Sequence, residues 1–171
     1  AILNDYNSRW SVNWQKQHKD FEYVAHFQHY CKAFAERNIP VDIISADVSL
    51  DGYRLVVLPA LLILTPERIQ RLSDFVQRGG NLVVTIRSGM KDALNSLLPQ
   101  RQPGALSALA NVEAEEYYPL DVPVPVSGKS VNGTSNLWAE RLRILDPQQA
   151  TQVMARYGKQ NGWLDTNQQS R

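Results

Sequence analysis

The stretch Gly79 to Asp92, GGNLVVTIRSGMKD, runs the apolar residues Leu82-Val83-Val84 almost directly into Arg87-Ser88-Gly89. A serine on a small polar turn after a strand is where α/β hydrolases place a nucleophile. That chemistry needs a glycine two residues before the serine, and Ile86 stands there. It also needs a base within reach, and His18, His26 and His29 all fall on one early segment. Ser88 is therefore not read as a nucleophile. The lone cysteine, Cys31, falls mid-helix on an apolar stripe, so a cysteine nucleophile of the amidotransferase kind is excluded as well.

Three other groupings have residue types suited to chemistry. His18, Glu22, His26 and His29 follow one another at i, i+4, i+8 and i+11. On a helix they fall within about 80° of each other, a candidate metal-ligating stripe opposed to Val24, Phe27, Cys31 and Phe34. The plainer reading of that stripe is a polar helix face, and no metal is expected. Glu113 and Glu115 alternate on a predicted strand, roughly 7 Å apart. That separation suits an inverting glycosidase pair, but such work needs one of the pair buried, and a strand reading EAEEYY turns both to water. The third grouping is the crevice beyond the carboxyl ends of the strands, where open α/β sheets bind ligands. Asp5, Ser45, Pro59, Arg87 and Ser88 stand at those ends, beside Trp10 and Trp14. Trp with Arg is the composition of interface hot spots, and Trp also stacks on sugars. NDYNSRW holds no glycine, so no phosphate loop follows the first strand and no nucleotide or flavin cofactor is expected.

The elements that must position these residues read as α/β. AILND is a first strand, and Tyr6–Trp14 an aromatic-rich loop. Gln15–Arg37 is a long helix ended by Asn38 and Pro40. Val41–Ser45 and Arg54–Leu58 are strands. Thr65 caps a helix with Pro66 and Glu67 in its first turn, and Ile69, Leu72, Phe75 and Val76 form its stripe. Gly79-Gly80 stops it, and a buried central strand follows. Ala105–Ala110 reads as a short helix, VEAEEYY as a strand exposed on one face, and QVMARY as a last strand. PLDVPVPVSGKSVNGT is irregular or edge structure with an Asn132-Gly133 turn. The expected architecture is a doubly wound, mostly parallel sheet with helices on both faces. Residues 1–164 make one domain, and 165–171 form a polar, disordered tail.

The 171 residues, 43% hydrophobic and 20% charged with a net charge of +1, are those of a globular domain. No basic stripe points to nucleic acid, and no apolar run reaches the ~18–20 residues of a membrane span. One cysteine leaves no intrachain disulfide, which suits a reducing, cytoplasmic location. The opening on a strand, without Met or signal peptide, reads as a piece of a longer protein.

Val41-Asp42, Asp51, Tyr53 to Leu61, Gly79-Gly80, Arg87-Ser88-Gly89 with Asp92, Pro103-Gly104-Ala105-Leu106, VEAEEYYPL and the opening NDYNSRWSV stand in one order along the chain. Together these motifs resemble the middle, trimerisation domain of family-42 β-galactosidases. The likeness is closest over Ala1 to Tyr118, and the family's final Pro-Ala-Val-Thr segment and Gly-Lys-Gly hairpin have no counterpart here. The resemblance implies a flavodoxin-like or class I glutamine amidotransferase-like three-layer sandwich without an active site of its own. It also implies a homotrimeric parent and, as partner, an upstream (β/α)8 barrel that holds both catalytic glutamates. The expected function is non-catalytic assembly within a glycoside hydrolase acting on terminal β-galactosides. A carbohydrate-binding module built on Trp10, Trp14 and Arg87 is the alternative, and an orphan hydrolase or amidotransferase relative is the third reading.

Overall fold

A computed structural model describes residues 1–158; the expected tail at 165–171 lies outside them. The structure is a mixed α/β one, built on a parallel sheet of four short strands. These are β1 (Ile2–Asn4), β2 (Ile43–Ser45), β3 (Leu55–Leu58) and β4 (Asn81–Val84), in the order β2-β1-β3-β4. Alternation along the strands divides the core in two. Ile2 and Val57 face Val12, Phe21, Tyr23 and Phe27, whereas Leu3, Val56 and Leu58 face Leu72 and Phe75. Helices α1 (Tyr6–Trp14) and α2 (Tyr23–Ala35) thus cover one face and α3 (Pro66–Gln77) the other.

The locally encoded elements fall where the sequence puts them. Thr65 Oγ1 accepts from Arg68 N at the start of α3, and Gly79, at φ +91°, ends the helix in the left-handed region. The connection from Ala46 to Arg54 contains no helix, yet β2 and β3 both lie parallel to β1 and on opposite sides of it. Ala46 and Leu50 fill the core beneath that connection in place of a crossover helix.

Several expectations are corrected. Tyr6–Trp14 is a helix rather than a loop, and the helix expected from Gln15 begins only at Tyr23. Residues 15–22 form a bent strap between the two, with Gln17 at φ +61°. On α2 the buried residues are Tyr23 and Phe27, while Val24 points to solvent. β4 is at the edge of the sheet instead of its centre, and Val83 is 40% exposed. Nor is the whole structure mostly parallel. After α4 (Ser107–Ala110), the strands β5 (Val112–Pro119), β6 (Val124–Gly128), β7 (Asn132–Ser135), β8 (Trp138–Ile144) and β9 (Ala155–Tyr157) are all antiparallel. They form a β5–β8 ribbon and a sheet ordered β7-β6-β9. The segment read as irregular or edge structure supplies the hairpin β6–β7, with β7 at the edge of its sheet. Its turn closes at Gly128–Val131, and Asn132-Gly133 lies within β7. β8 has no counterpart among the expected strands. Among the described residues, no helix is long and apolar enough to cross a membrane.

Candidate functional site

The carboxyl ends of the parallel strands are filled rather than open, and what fills them is α1. Asp5, just past β1, caps this helix by accepting from Ser8 N at 2.7 Å. Its other oxygen accepts from Arg68 Nη2 at 3.0 Å, and Arg68 also donates to both oxygens of Asp47, each at 2.7 Å. The inner face of α1 carries small residues, so the helix lies close to the sheet. Ser8 Oγ accepts from Ile63 N at 3.0 Å, and Lys91 Nζ donates to Ser11 Oγ at 2.9 Å. At the far end the Arg87 guanidinium donates to the carbonyls of Gln15 and Lys16, at 3.2 and 3.4 Å. A cation there complements the negative end of the helix dipole.

Arg87 is therefore not the outward contact expected of it. It is 1% exposed, and its guanidinium lies 4.9 Å from the centre of the Trp138 ring. Its backbone is left-handed, at φ +66°, and its N–H donates to Glu140 Oε1 at 3.0 Å. Burial lowers the Arg87 pKa and raises that of Glu140 from the usual carboxylate range. Lys91, buried among neutral acceptors, is shifted down by desolvation and then by Arg87. Ser88 is equally committed: its Oγ accepts from Leu61 N and donates to Leu58 O. Among the described residues no histidine or carboxylate hydrogen-bonds to it.

The histidine stripe is not formed. His18 lies on the strap, where its ring nitrogen Nε2 is 3.0 Å from Leu120 O, and Glu22 precedes α2 and pairs with Lys16. His29 is exposed, but His26 packs between Phe21 and Tyr30. Burial depresses the His26 pKa to about 4. Among the described residues no group of three or more His, Cys, Asp or Glu is placed to hold a metal. Glu113 and Glu115 are engaged in ion pairs, Glu113 with Arg143 at 2.6 Å and Glu115 with Arg141 at 3.1 Å. A bulge between Ala114 and Glu116 breaks the expected alternation. An apolar slot of about 130 Å³ lies on the α3 side, lined by Val76, Leu82, Val84, Leu106, Leu109 and Ala110, without any of these groups.

What remains outward is the other face of α1. Tyr6, Trp10 and Trp14, at i, i+4 and i+8, form one stripe and are 59%, 59% and 89% exposed. Among the described residues they are the only large aromatic side chains left exposed. The Tyr6 and Trp10 rings stand 6.1 Å apart and tilted by 44°. Sequence reasoning found the two tryptophans and Asp5. It missed Tyr6, Ser8, Ser11, Arg68 and Lys91: Tyr6, Trp10 and Trp14 keep helical spacing, but the contacts of Ser8, Ser11, Arg68 and Lys91 are long-range and leave no local signal.

Residues 1–166 match the family model described as the β-galactosidase trimerisation domain. β-Galactosidase BgaH of Haloferax lucentense is 34% identical over 144 residues, covering 83% of this chain and 22% of that protein. β-Galactosidase Bga of Halorubrum lacusprofundi is 36% identical over 117 residues, covering 68% of this chain and 17% of that protein. The solved β-galactosidase of the Antarctic haloarchaeon Halorubrum lacusprofundi superposes with a TM-score of 0.84 at 31% identity, over 91% of this chain and 23% of that one. The chain thus spans about a fifth of the length of these relatives. It shares the fold of that solved structure, and it belongs to the β-galactosidase trimerisation domain family.

Proposed function

We propose that this chain is the non-catalytic assembly portion of a β-galactosidase-type glycoside hydrolase. It joins copies into a homotrimer and braces a (β/α)8 barrel, outside this sequence, that hydrolyses terminal β-galactosides. One observation carries the reading. Asp5, Ser88, Arg87 and Lys91 are buried in internal contacts, while α1, held by Asp5, Arg87 and Lys91, presents three exposed aromatic rings. Buried, hydrogen-bonded groups fix a scaffold, and exposed Trp and Tyr on a rigid element favour a partner.

The flavodoxin-like, amidotransferase-like sandwich belongs to the same proposal. The order β2-β1-β3-β4, with helices on both faces, supports it. The sugar-binding alternative loses Arg87 to the interior.

Sedimentation velocity over a concentration series tests the assembly reading. Reversible association is expected, and one monomeric boundary at every concentration contradicts it. A chromogenic galactoside tests the non-catalytic part. No hydrolysis is expected from this chain, and turnover abolished by Glu113→Gln would overturn it.

A further inference from the structure

Arg87 is a buried cation with no carboxylate on its guanidinium. It is 1% exposed, and its two terminal nitrogens donate to neutral carbonyls, those of Gln15 and Lys16. Glu140 accepts from the Arg87 backbone N–H and not from the side chain. The guanidinium Nε–H is buried and, among the described residues, finds no acceptor. The guanidinium lies over the ring of Trp138, and the buried indole N–H of Trp138 finds no acceptor either. Buried polar groups in folded proteins are hydrogen-bonded, to an ordered water or ion where no protein group serves. Two orphaned donors on one stacked pair of side chains point to a small body that accepts from both.

The charges around the pair narrow its chemistry. Lys91 is a second buried cation, its pKa lowered by desolvation and then by Arg87. Its Nζ donates to the neutral oxygens of Ser11, Gln15 and Asn95. Asp92 does not answer it, since its carboxylate accepts from the N–H groups of Leu94 and Ser96. Lys16 and Glu22 pair with each other. Arg87 and Lys91 thus have Glu140 as their nearby carboxylate, and a positive charge is left over. An unpaired buried charge is costly, and arginine does not escape the cost by losing its proton. A water would meet the two N–H groups and leave the charge, whereas a monovalent anion meets both needs. Phosphate or sulfate would bring more acceptor oxygens than two donors can serve.

We propose that Arg87 Nε and Trp138 Nε1 hold a small monovalent anion of the chloride class, at the joint between the turn after β4 and the strand β8. Hydrogen bonds to an ionised acceptor are the stronger kind, and here they join the two halves of the fold. Because Arg87 also carries the carbonyls that end α1, the anion fixes the strap against β8. It is a structural ligand, and its site does not depend on the assembly reading above.

The test titrates chloride into the chain at constant ionic strength, with gluconate as the filling anion, and follows the chlorine NMR line width. The wild type should show saturable broadening that bromide displaces. Trp138→Phe keeps an aromatic face beside Arg87 and removes the N–H, so chloride should bind roughly tenfold or more weakly, the worth of one hydrogen bond to a charged group. Lys91→Met keeps both donors, removes the surplus charge and should also weaken binding. Lys129→Gln, at an exposed lysine, should bind like the wild type. Circular dichroism gives a second readout: chloride should raise the wild-type melting temperature above its value in gluconate, and Trp138→Phe should lose that difference. A wild type without saturable broadening overturns the proposal, as does wild-type affinity in a folded Trp138→Phe. If Trp138→Phe does not fold, Lys91→Met decides, and undiminished affinity there is the overturning result. Equal melting in chloride and gluconate assigns a bridging water to the two N–H groups and overturns it as well.

Discussion

Arg68 gathers more of the structure than any other single side chain near α1. It is buried, and it donates to Asp5, to both oxygens of Asp47 and to the carbonyl of Ile63. Arg68→Met removes the charge that balances the buried Asp5. Breaking such a pair from one side costs about 3–5 kcal/mol, and urea unfolding should show a loss of that size. The same contact holds the Asp47 carboxyl below its ordinary range, chiefly by the hydrogen bond from Arg68. A depressed carboxylate stabilises the folded chain above its unfolded pKa and loses that contribution as pH falls through the folded value. Arg68→Met should therefore flatten the acid limb of the stability profile. His26 gives the second titration. Neutral in the fold down to about pH 4, it leaves the unfolded chain binding more protons between about 4 and 6.5. Stability rises with pH across that window. Glu140, whose pKa burial raises, pulls the other way, so the difference between wild type and His26→Phe isolates the histidine. Melting temperatures from pH 4 to 7 should show the variant with the shallower slope, and equal slopes would contradict a neutral buried His26.

At the scale of elements, the turn after β4 decides how closely the loops pack. Gly89 lies at φ +70°, and a Cβ there would run into the Pro103 carbonyl oxygen. Gly89→Ala should cost at least 1–3 kcal/mol, read as a lower urea midpoint with an unchanged slope. This turn, like α3, was legible in the sequence because its signals are local: Thr65, Pro66 and Gly79 carry the start and stop of α3 within its own residues. The helix α1 was not legible, because what folds nine residues into a helix comes from distant parts of the chain: Arg68 on Asp5, the Ile63 N–H on Ser8 and Lys91 on Ser11. The late start of α2 has the same cause, since Arg87 takes the carbonyls of Gln15 and Lys16 that a continuous helix would have used. With that strap in place, His18 and Glu22 never reach the helix, and a stripe inferred from even spacing dissolves. β8 was missed because its pairing with β5, well before it in the sequence, leaves no local signal.

For the whole molecule, the parallel sheet, the α1 helix and the antiparallel strands form one argument about presentation. Trp138 of β8 packs against Phe21, ring centres 4.2 Å apart and tilted by 34°, and lies beside Arg87, so the antiparallel half supports the strap that ends α1. An assembly domain needs a rigid outward element more than it needs a cavity, and the buried polar groups at the strand ends meet that need. The resemblance read in the sequence is matched by the family model over residues 1–166, although the candidate residues divide. Asp5 and Arg87 hold the helix from within, Ser88 ties Leu58 to Leu61, and Trp10 and Trp14 face outward. The central claim is that these chains assemble by threes. Native mass spectrometry of the chain at high micromolar concentration tests it most directly. The expected result is a dominant species of three 19.4 kDa chains that gives way to single chains on dilution. A spectrum that shows only single chains at every concentration, or only an even-numbered assembly, would contradict it.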